Sequence, residues 1–191
     1  MRGGLARLPA AAALALLAGC AYEVSGRVEV AAPGRLGGVR RIAVARFGYP
    51  HDWTGQFRDI YRRAGLAPPA GEKVDNLERT FLVEDALSAR GYEALPWPRG
   101  EEEPAEPPAA GLRERLAGAG IGAVLLAQGE SACGSVERCT ARVSLSLWGT
   151  EGGALLWRGE ARAATLMYQG DEMQAAVEEA LAGLPAGEEG R

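Results

Sequence analysis

The sequence predicts an α+β fold, in which a mixed β-sheet packs against helices in the order β-α-β-α-β-β-β-α. Helical segments separate the first strand-like segments, and a helix between two strands permits parallel pairing. Later in the chain, residues 142–148 and 154–163 alternate apolar and polar side chains on either side of a glycine-rich turn, which is typical of an antiparallel hairpin. The chain has 191 residues, which is enough for one domain with its own core.

The first half of the predicted domain contains two strands, one helix and a charged loop. Ile42, Val44 and Phe47 supply the apolar content of the opening strand. Asp75 and Glu78 stand at capping-box spacing, so the helix is expected to begin there. Its apolar side is expected to be formed by Leu77, Phe81, Val83 and Leu87. The expected ranges are residues 39–47 for the strand, 48–73 for a long insertion, 75–91 for the helix, 92–95 for the second strand and 96–111 for an acidic, proline-rich loop.

The second half contains a short helix, three strands and a final helix. Residues 121–128 form an apolar run without alternation, as in a strand that is buried on both faces. In the last strand, Trp157 is expected to face the core, whereas Arg158, Glu160 and Arg162 point to the opposite face. The remaining expected elements are a helix at residues 112–117, strands at 142–148 and 154–163, and a helix that is capped by Asp171 and ended by Gly183 and Pro185.

The amino terminus is predicted to be a lipoprotein signal peptide. Arg2 and Arg7 give a positive start, and the apolar stretch at residues 8–18 is too short to span a bilayer. It ends in Leu17-Ala18-Gly19-Cys20, the order expected of a lipobox, in which the cysteine is acylated. The alternative is an ordinary secretory signal with an accidental cysteine. By resemblance to the usual sorting pattern, Ala21 after the cysteine favours the outer membrane, with the protein on its periplasmic face.

The predicted domain organisation follows from this signal. Residues 1–19 are expected to be removed, residues 20–38 to form a lipidated tether with at most a short accessory strand, residues 39–184 to form a single αβ domain, and residues 185–191 to form a tail.

The chain has three cysteines, and acylation of Cys20 leaves Cys133 and Cys139 as a pair. In an oxidising periplasm, two cysteines so close in sequence indicate a disulfide. The alternative is a metal site, but zinc takes three or four thiolate or imidazole ligands and the single histidine, His51, is far away in sequence. The sequence therefore predicts a disulfide and no metal.

Charge and motifs argue against two classes of function. The formal net charge is −4 and there is no basic stripe, which makes nucleic acid an unsuitable partner. The sequence contains no phosphate-binding loop and no nucleophile elbow, so neither an enzyme nor a cofactor is expected. Trp157 is expected in the core, whereas Trp148 falls on the polar face of its strand and is a candidate for binding a sugar or peptide.

The insertion carries an amphipathic pattern. Trp53, Phe57, Ile60, Tyr61 and Ala64 recur on one face of a helix, and the other face carries Arg58, Arg62 and Arg63. One interpretation is that the helix covers the sheet as part of the core. The other is that it docks a partner or the membrane surface, since aromatic residues and arginine are enriched at binding hot spots. The candidate partner-binding residues are Trp53, Phe57, Tyr61, Arg58 and Arg62.

Three segments resemble a known group of envelope proteins. Residues 41–47 (RIAVARF), 120–126 (GIGAVLL) and 152–159 (GGALLWRG) are similar to strands of the periplasmic αβ domain of the TolB amino-terminal and CsgG-like lipoproteins, including LpoB. The resemblance covers roughly residues 39–184. Gly122 stands where an aspartate is usual, and the insertion is not part of the pattern. The resemblance implies the αβ fold and an envelope location.

These observations predict a non-catalytic, periplasm-facing lipoprotein that acts as an accessory or docking factor. Its expected partners are the membrane, through the acyl anchor, and an envelope protein. The alternative is a subunit of an outer-membrane secretion complex. A pore would need membrane hairpins with strands of about 9–11 alternating residues, and residues 48–73 show no such alternation. A hydrolase is the third hypothesis.

Overall fold

The computed structural model describes residues 23–48, 77–101, 104, 106–135, 138–165 and 172–187. The predicted α+β class is confirmed, and from β2 onward the order of strands and helices agrees with the predicted order. The elements are β1 (Glu23–Glu29), α1 (Pro33–Leu36), β2 (Arg41–Val44), α2 (Leu77–Ser88), β3 (Glu93–Pro96), α3 (Ala110–Gly118), β4 (Ala123–Ser135), β5 (Arg138–Gly149), β6 (Leu155–Thr165) and α4 (Glu172–Leu181).

The strands form one mixed, six-stranded sheet in the order β1-β6-β5-β4-β2-β3. β2 pairs in parallel with β3 and with β4. The other pairs, β4–β5, β5–β6 and β6–β1, are antiparallel. The parallel pairs are those in which a helix separates the strands along the chain, because a crossover must return the chain to the same end of the sheet.

β1 corrects the predicted tether. Residues 23–29 pair with β6 over seven consecutive positions, so the sheet begins inside the segment that was expected to be a linker, and a domain boundary at residue 38 is too late. All seven residues are exposed. β1 is held to the sheet mainly by backbone hydrogen bonds. Because its side chains bury little surface, the alternation of apolar and polar residues that marks a strand in the sequence is weak here.

The two faces of the sheet are covered to different extents. One face, which we call the helical face, packs against α2 and α4 and contains the larger core, including the fully buried Phe47, Leu145, Leu147 and Trp157. This confirms the expected core position of Trp157. On the other face, α3 covers the β2–β4 region through a smaller cluster that includes Leu112, Leu116 and Val124. The rest of this second face, over β5, β6 and β1, lies against no described helix.

Helix α2 differs from its prediction at one position. Val83 and Leu87 are buried as expected, but Phe81 is 57% exposed. Phe81 stands two residues before Val83, so the helical turn of about 100° per residue directs it away from the core. The apolar stripe of α2 is therefore narrower than its composition suggests.

β4 and β5 are longer than predicted and form a long hairpin. The ladder continues past Gln128, pairs Cys133 with Cys139 and ends with Ser135 opposite Arg138. The expected cysteine loop is thus mostly strand. At the same end of the sheet β1 begins and β6 ends, because Glu23 pairs with Ala164 and Cys139 pairs with Thr165. We call this end, defined by Glu23, Cys139 and Thr165, the hairpin end.

Candidate functional site

The uncovered part of the second face forms a shallow groove of about 520 Å³. It crosses four strands, β1, β6, β5 and β4, and its floor follows the sheet. We call it the open groove. The polar side chains at the groove are contributed by Ser25, Arg27, Gln128, Glu130, Arg142, Ser144, Glu160 and Arg162.

Strand alternation places these side chains on one face. In β6, Trp157 and Ala161 are buried on the helical face, and the intervening Glu160 and Arg162 are exposed on the other face, as predicted. The same alternation in β5 buries Val143 and leaves Arg142 exposed. What the sequence could not provide is the pairing between strands.

One row of the groove is balanced in charge. Arg27 of β1 lies opposite Glu160 of β6, and Glu160 lies opposite Ser144 of β5. Residues directly opposite each other in a sheet have Cβ atoms about 4.5–5.5 Å apart, so opposite charges in this arrangement attract. This row therefore leaves little net charge.

The next row, closer to the hairpin end, is not balanced. Ser25, Arg162, Arg142 and Glu130 lie opposite one another in turn across the four strands. Arg142 donates to Glu130, with 3.3 Å between Nη1 and Oε1. Arg162 lies directly opposite Arg142, and among the described contacts it forms no ion pair and no hydrogen bond. Two like charges on adjacent strands repel each other, so this row carries one uncompensated cation.

A loop residue contacts the second face beside the open groove. Glu106 accepts a hydrogen bond of 3.1 Å from Ser146 Oγ and forms an ion pair with Arg158. The positive charge of Arg158 is therefore already compensated by a carboxylate of the chain itself.

The acidic segment before α3 is held by a second ion pair. Glu101 accepts from Arg115 Nε at 2.9 Å and from Arg115 Nη2 at 2.5 Å. The hydrogen bond from Arg115 lowers the pKa of the Glu101 carboxyl, and the same bond raises the pKa of Arg115. The pair joins the segment after β3 to the outer side of α3.

The exposed arginines of the open groove are suited to binding an oxyanion. A guanidinium binds carboxylate or phosphate through parallel N–H donors.

Within the described ranges there is no cluster of histidine, cysteine, aspartate and glutamate that could hold a metal ion. The described helices include none that is long and apolar enough to cross a membrane.

Most of the predicted site residues lie outside the described residues. These are the lipidation site Cys20 and the candidate partner-binding residues Trp53, Phe57, Tyr61, Arg58 and Arg62. Cys139 is described and is disulfide-bonded, and Cys133 is its partner in the β4–β5 ladder. This register is what a bridge between the two predicted cysteines requires, and the pairing itself stays a prediction.

Trp148 lies beside the smaller cluster rather than in the open groove. Its half-buried side chain packs against this cluster, as do the side chains of Leu95 and Trp97. Trp97 donates through Nε1 to the carbonyl oxygen of Glu101, at 3.4 Å. The two rings therefore pack against the chain itself, which favours a structural role over sugar or peptide binding.

Comparisons with known proteins connect the chain to others through fold alone. No protein-family model matches the chain, and no curated protein matches it in sequence. Two solved structures of PelC dodecamers from Paraburkholderia phytofirmans, one of them a single-substitution variant, are similar to it. Both have a TM-score of 0.55 and 14% identity. They cover 85% and 86% of this chain, and 99% and 100% of the PelC chains. The resemblance to the TolB, CsgG and LpoB group stays a prediction.

Proposed function

We propose that this chain is a non-catalytic lipoprotein, anchored through Cys20 to the periplasmic face of the outer membrane, that acts by assembling with protein partners, including further copies of itself. The observation that carries the proposal is the order of features at the amino terminus. The lipobox-like Leu17-Ala18-Gly19-Cys20 is followed, after only Ala21 and Tyr22, by the first residue of β1, Glu23.

Assembly is supported by two observations. The similar PelC structures are dodecamers and match the fold over nearly their whole length. In addition, β1 is a seven-residue edge strand without proline or a register shift, with Val24 and Val28 exposed. The other edge strand, β3, ends at a proline, Pro96, whereas among the described strands none pairs with the outer edge of β1, whose main-chain groups can accept a further strand.

A non-catalytic role is supported by the open groove. Its carboxylates lie opposite or beside arginines, and the single histidine of the chain, His51, lies outside the described residues. Beside the groove, the Ser146 hydroxyl donates to the Glu106 carboxylate, but that carboxylate is already in an ion pair with Arg158, which opposes its action as a general base. A subunit of a secretion complex is the second candidate, favoured by the same likeness to an oligomeric protein.

Radiolabelled palmitate tests the anchor. We expect label on the wild-type chain and retention of that chain in the membrane fraction. The Cys20→Ser variant should carry no label and appear in the soluble periplasmic fraction, because the anchor is the proposed means of retention. A Cys20→Ser protein that still sediments with membranes in high salt would contradict the anchor.

Light scattering on the detergent-extracted chain tests assembly. We expect a multiple of the protomer mass, and a monomer when Val24 and Val28 are both replaced by lysine, since two charges on the edge strand oppose pairing. The control is Phe81→Lys, which adds a charge at an exposed apolar position on α2, away from β1. A wild-type monomer at micromolar concentration would contradict self-assembly.

A further inference from the structure

We infer that Arg142 and Arg162 bind phosphate groups of membrane lipid headgroups, with the hairpin end of the sheet against the membrane. The inference rests on the acylation of Cys20 in the proposed function. It adds a second contact between the protein and the lipid, made by the folded domain itself.

The first argument is the short connection between the anchor and the sheet. Two residues, Ala21 and Tyr22, separate Cys20 from Glu23, so the Cα atoms of Cys20 and Glu23 are at most about 11 Å apart. Glu23 lies in the same row as Ala164 and Thr140, at the hairpin end. An acyl chain on Cys20 therefore holds the hairpin end within about 11 Å of the membrane surface.

The second argument is the position of the two arginines relative to that end. Arg162 pairs with Ser25, two residues after Glu23, and Arg142 lies next to Arg162. Two residues of strand rise about 7 Å. An extended arginine side chain can bridge this distance back towards the hairpin end. Both guanidinium groups are thus within reach of lipid headgroups when the hairpin end faces the membrane.

The third argument is charge. In the open groove, Arg27 lies opposite Glu160 and Arg142 donates to Glu130. Beside the groove, Arg158 is paired with Glu106. Arg162 has no such partner among the described contacts, and it lies directly opposite Arg142 in the β5–β6 ladder. A phosphate shared by Arg142 and Arg162 would offset their repulsion and accept the parallel N–H donors that guanidinium groups present.

The lipid is favoured over other anions because of this location. The chain as a whole is acidic, with a formal net charge of −4, so a general attraction to anions is not expected. The row that contains Arg142 and Arg162 lies next to Glu23, the described residue that is nearest in sequence to the proposed acyl anchor. A lipid phosphate is present there at a high local concentration, whereas a free phosphate ion is not.

Vesicle flotation with the mature Cys20→Ser chain tests the inference, since removal of the anchor isolates headgroup binding. We expect binding to vesicles that contain phosphatidylglycerol, and about fivefold weaker binding for each of Arg142→Gln and Arg162→Gln. The matched control is Arg35→Gln, because Arg35 is an exposed arginine that lies near Gly152, at the opposite end of the sheet. It should bind as the parent chain does. Melting temperatures of all variants should agree, because these arginines are exposed.

Two results would overturn the inference. One is an equal loss of vesicle binding in Arg35→Gln and Arg162→Gln, which would indicate a general effect of charge. The other is inorganic phosphate binding at Arg162 without any vesicle binding, which would make the site one for a free ion. Palmitate labelling of the wild-type chain is independent of both results, so the anchor and the headgroup site can fail separately.

Discussion

Gly159 of β6 lies directly beneath the carbonyl oxygen of Ala180 on α4, with no room for a side chain between them. A Cβ atom placed on Gly159 would overlap both that oxygen and the ring of Trp157. The backbone of α4 therefore approaches the backbone of the sheet directly at this point, and the Trp157 ring fills the adjacent space. The last helix thus depends on the absence of a side chain in β6.

Gly159→Ala is expected to destabilise the protein by about 1–3 kcal/mol, because the helix or the tryptophan ring must move to admit the methyl group. Urea denaturation followed by circular dichroism measures the change. The control is Gly118→Ala at the end of α3, where a Cβ meets nothing within 4 Å. Unchanged stability in Gly159→Ala would show that α4 is packed less tightly than the structure indicates.

The Cys133–Cys139 bridge is expected to stabilise the hairpin end. For so short a loop, the chain-entropy estimate is about 2 kcal/mol. The intact mass of the periplasmically expressed protein should be two hydrogens lower without reductant than with it, and Cys139→Ser should lower the stability by about that energy. Two alkylatable thiols in the untreated protein would contradict the pairing.

Acid is expected to release the segment that Glu101 holds. The Arg115 hydrogen bond lowers the pKa of Glu101 in the folded protein. The ion pair therefore stabilises the folded state at pH values above the ordinary glutamate pKa, and this stabilisation is lost as the pH falls through the lowered pKa. An NMR titration of Glu101 in the wild-type protein should give a midpoint pH below that of a free glutamate. In the Arg115→Gln variant, the midpoint should return to the value of a free glutamate. Arg113→Gln is the control, since Arg113 donates to the Pro108 carbonyl instead. A midpoint that Arg115→Gln leaves unchanged would contradict the assignment.

The aromatic stripe of the insertion is expected to dock rather than to complete the core. The open groove offers charged and polar side chains, which would be buried unfavourably if Trp53 and Phe57 packed against them. Replacing both with alanine should leave the melting temperature unchanged and weaken recovery of an envelope partner after crosslinking. Trp157→Ala, at a fully buried position, provides the comparison and should cost about 3–5 kcal/mol. A similar loss in the double variant would place the stripe in the core.

The sequence predicted the elements whose burial leaves a pattern. β5 and β6 alternate cleanly because one face packs under α4, and the buried Trp157 and Leu145 mark that face. β1 was not recognised as a full strand, because pairing with β6 requires only backbone groups and all of its side chains remain exposed.

The open groove could be predicted only in part. The sequence placed Arg158, Glu160 and Arg162 on one face of β6, as the structure does. It could not place Arg142 opposite Arg162, because that neighbour depends on the register between two strands and not on the order of residues within one. The uncompensated charge is therefore a property of tertiary structure.

The direct connection of Cys20 to β1 also bears on how copies of the protein meet. A long linker would let each anchored domain tumble, and two domains would lose most of that rotational freedom when they associate. With only Ala21 and Tyr22 between the proposed acylation site and the sheet, domains anchored in this way would share one orientation relative to the membrane and diffuse in two dimensions. Much of the rotational and translational entropy that association costs would then be lost when each domain is anchored. Contacts between β1 edge strands that are too weak to hold a complex together in solution could therefore do so on the membrane.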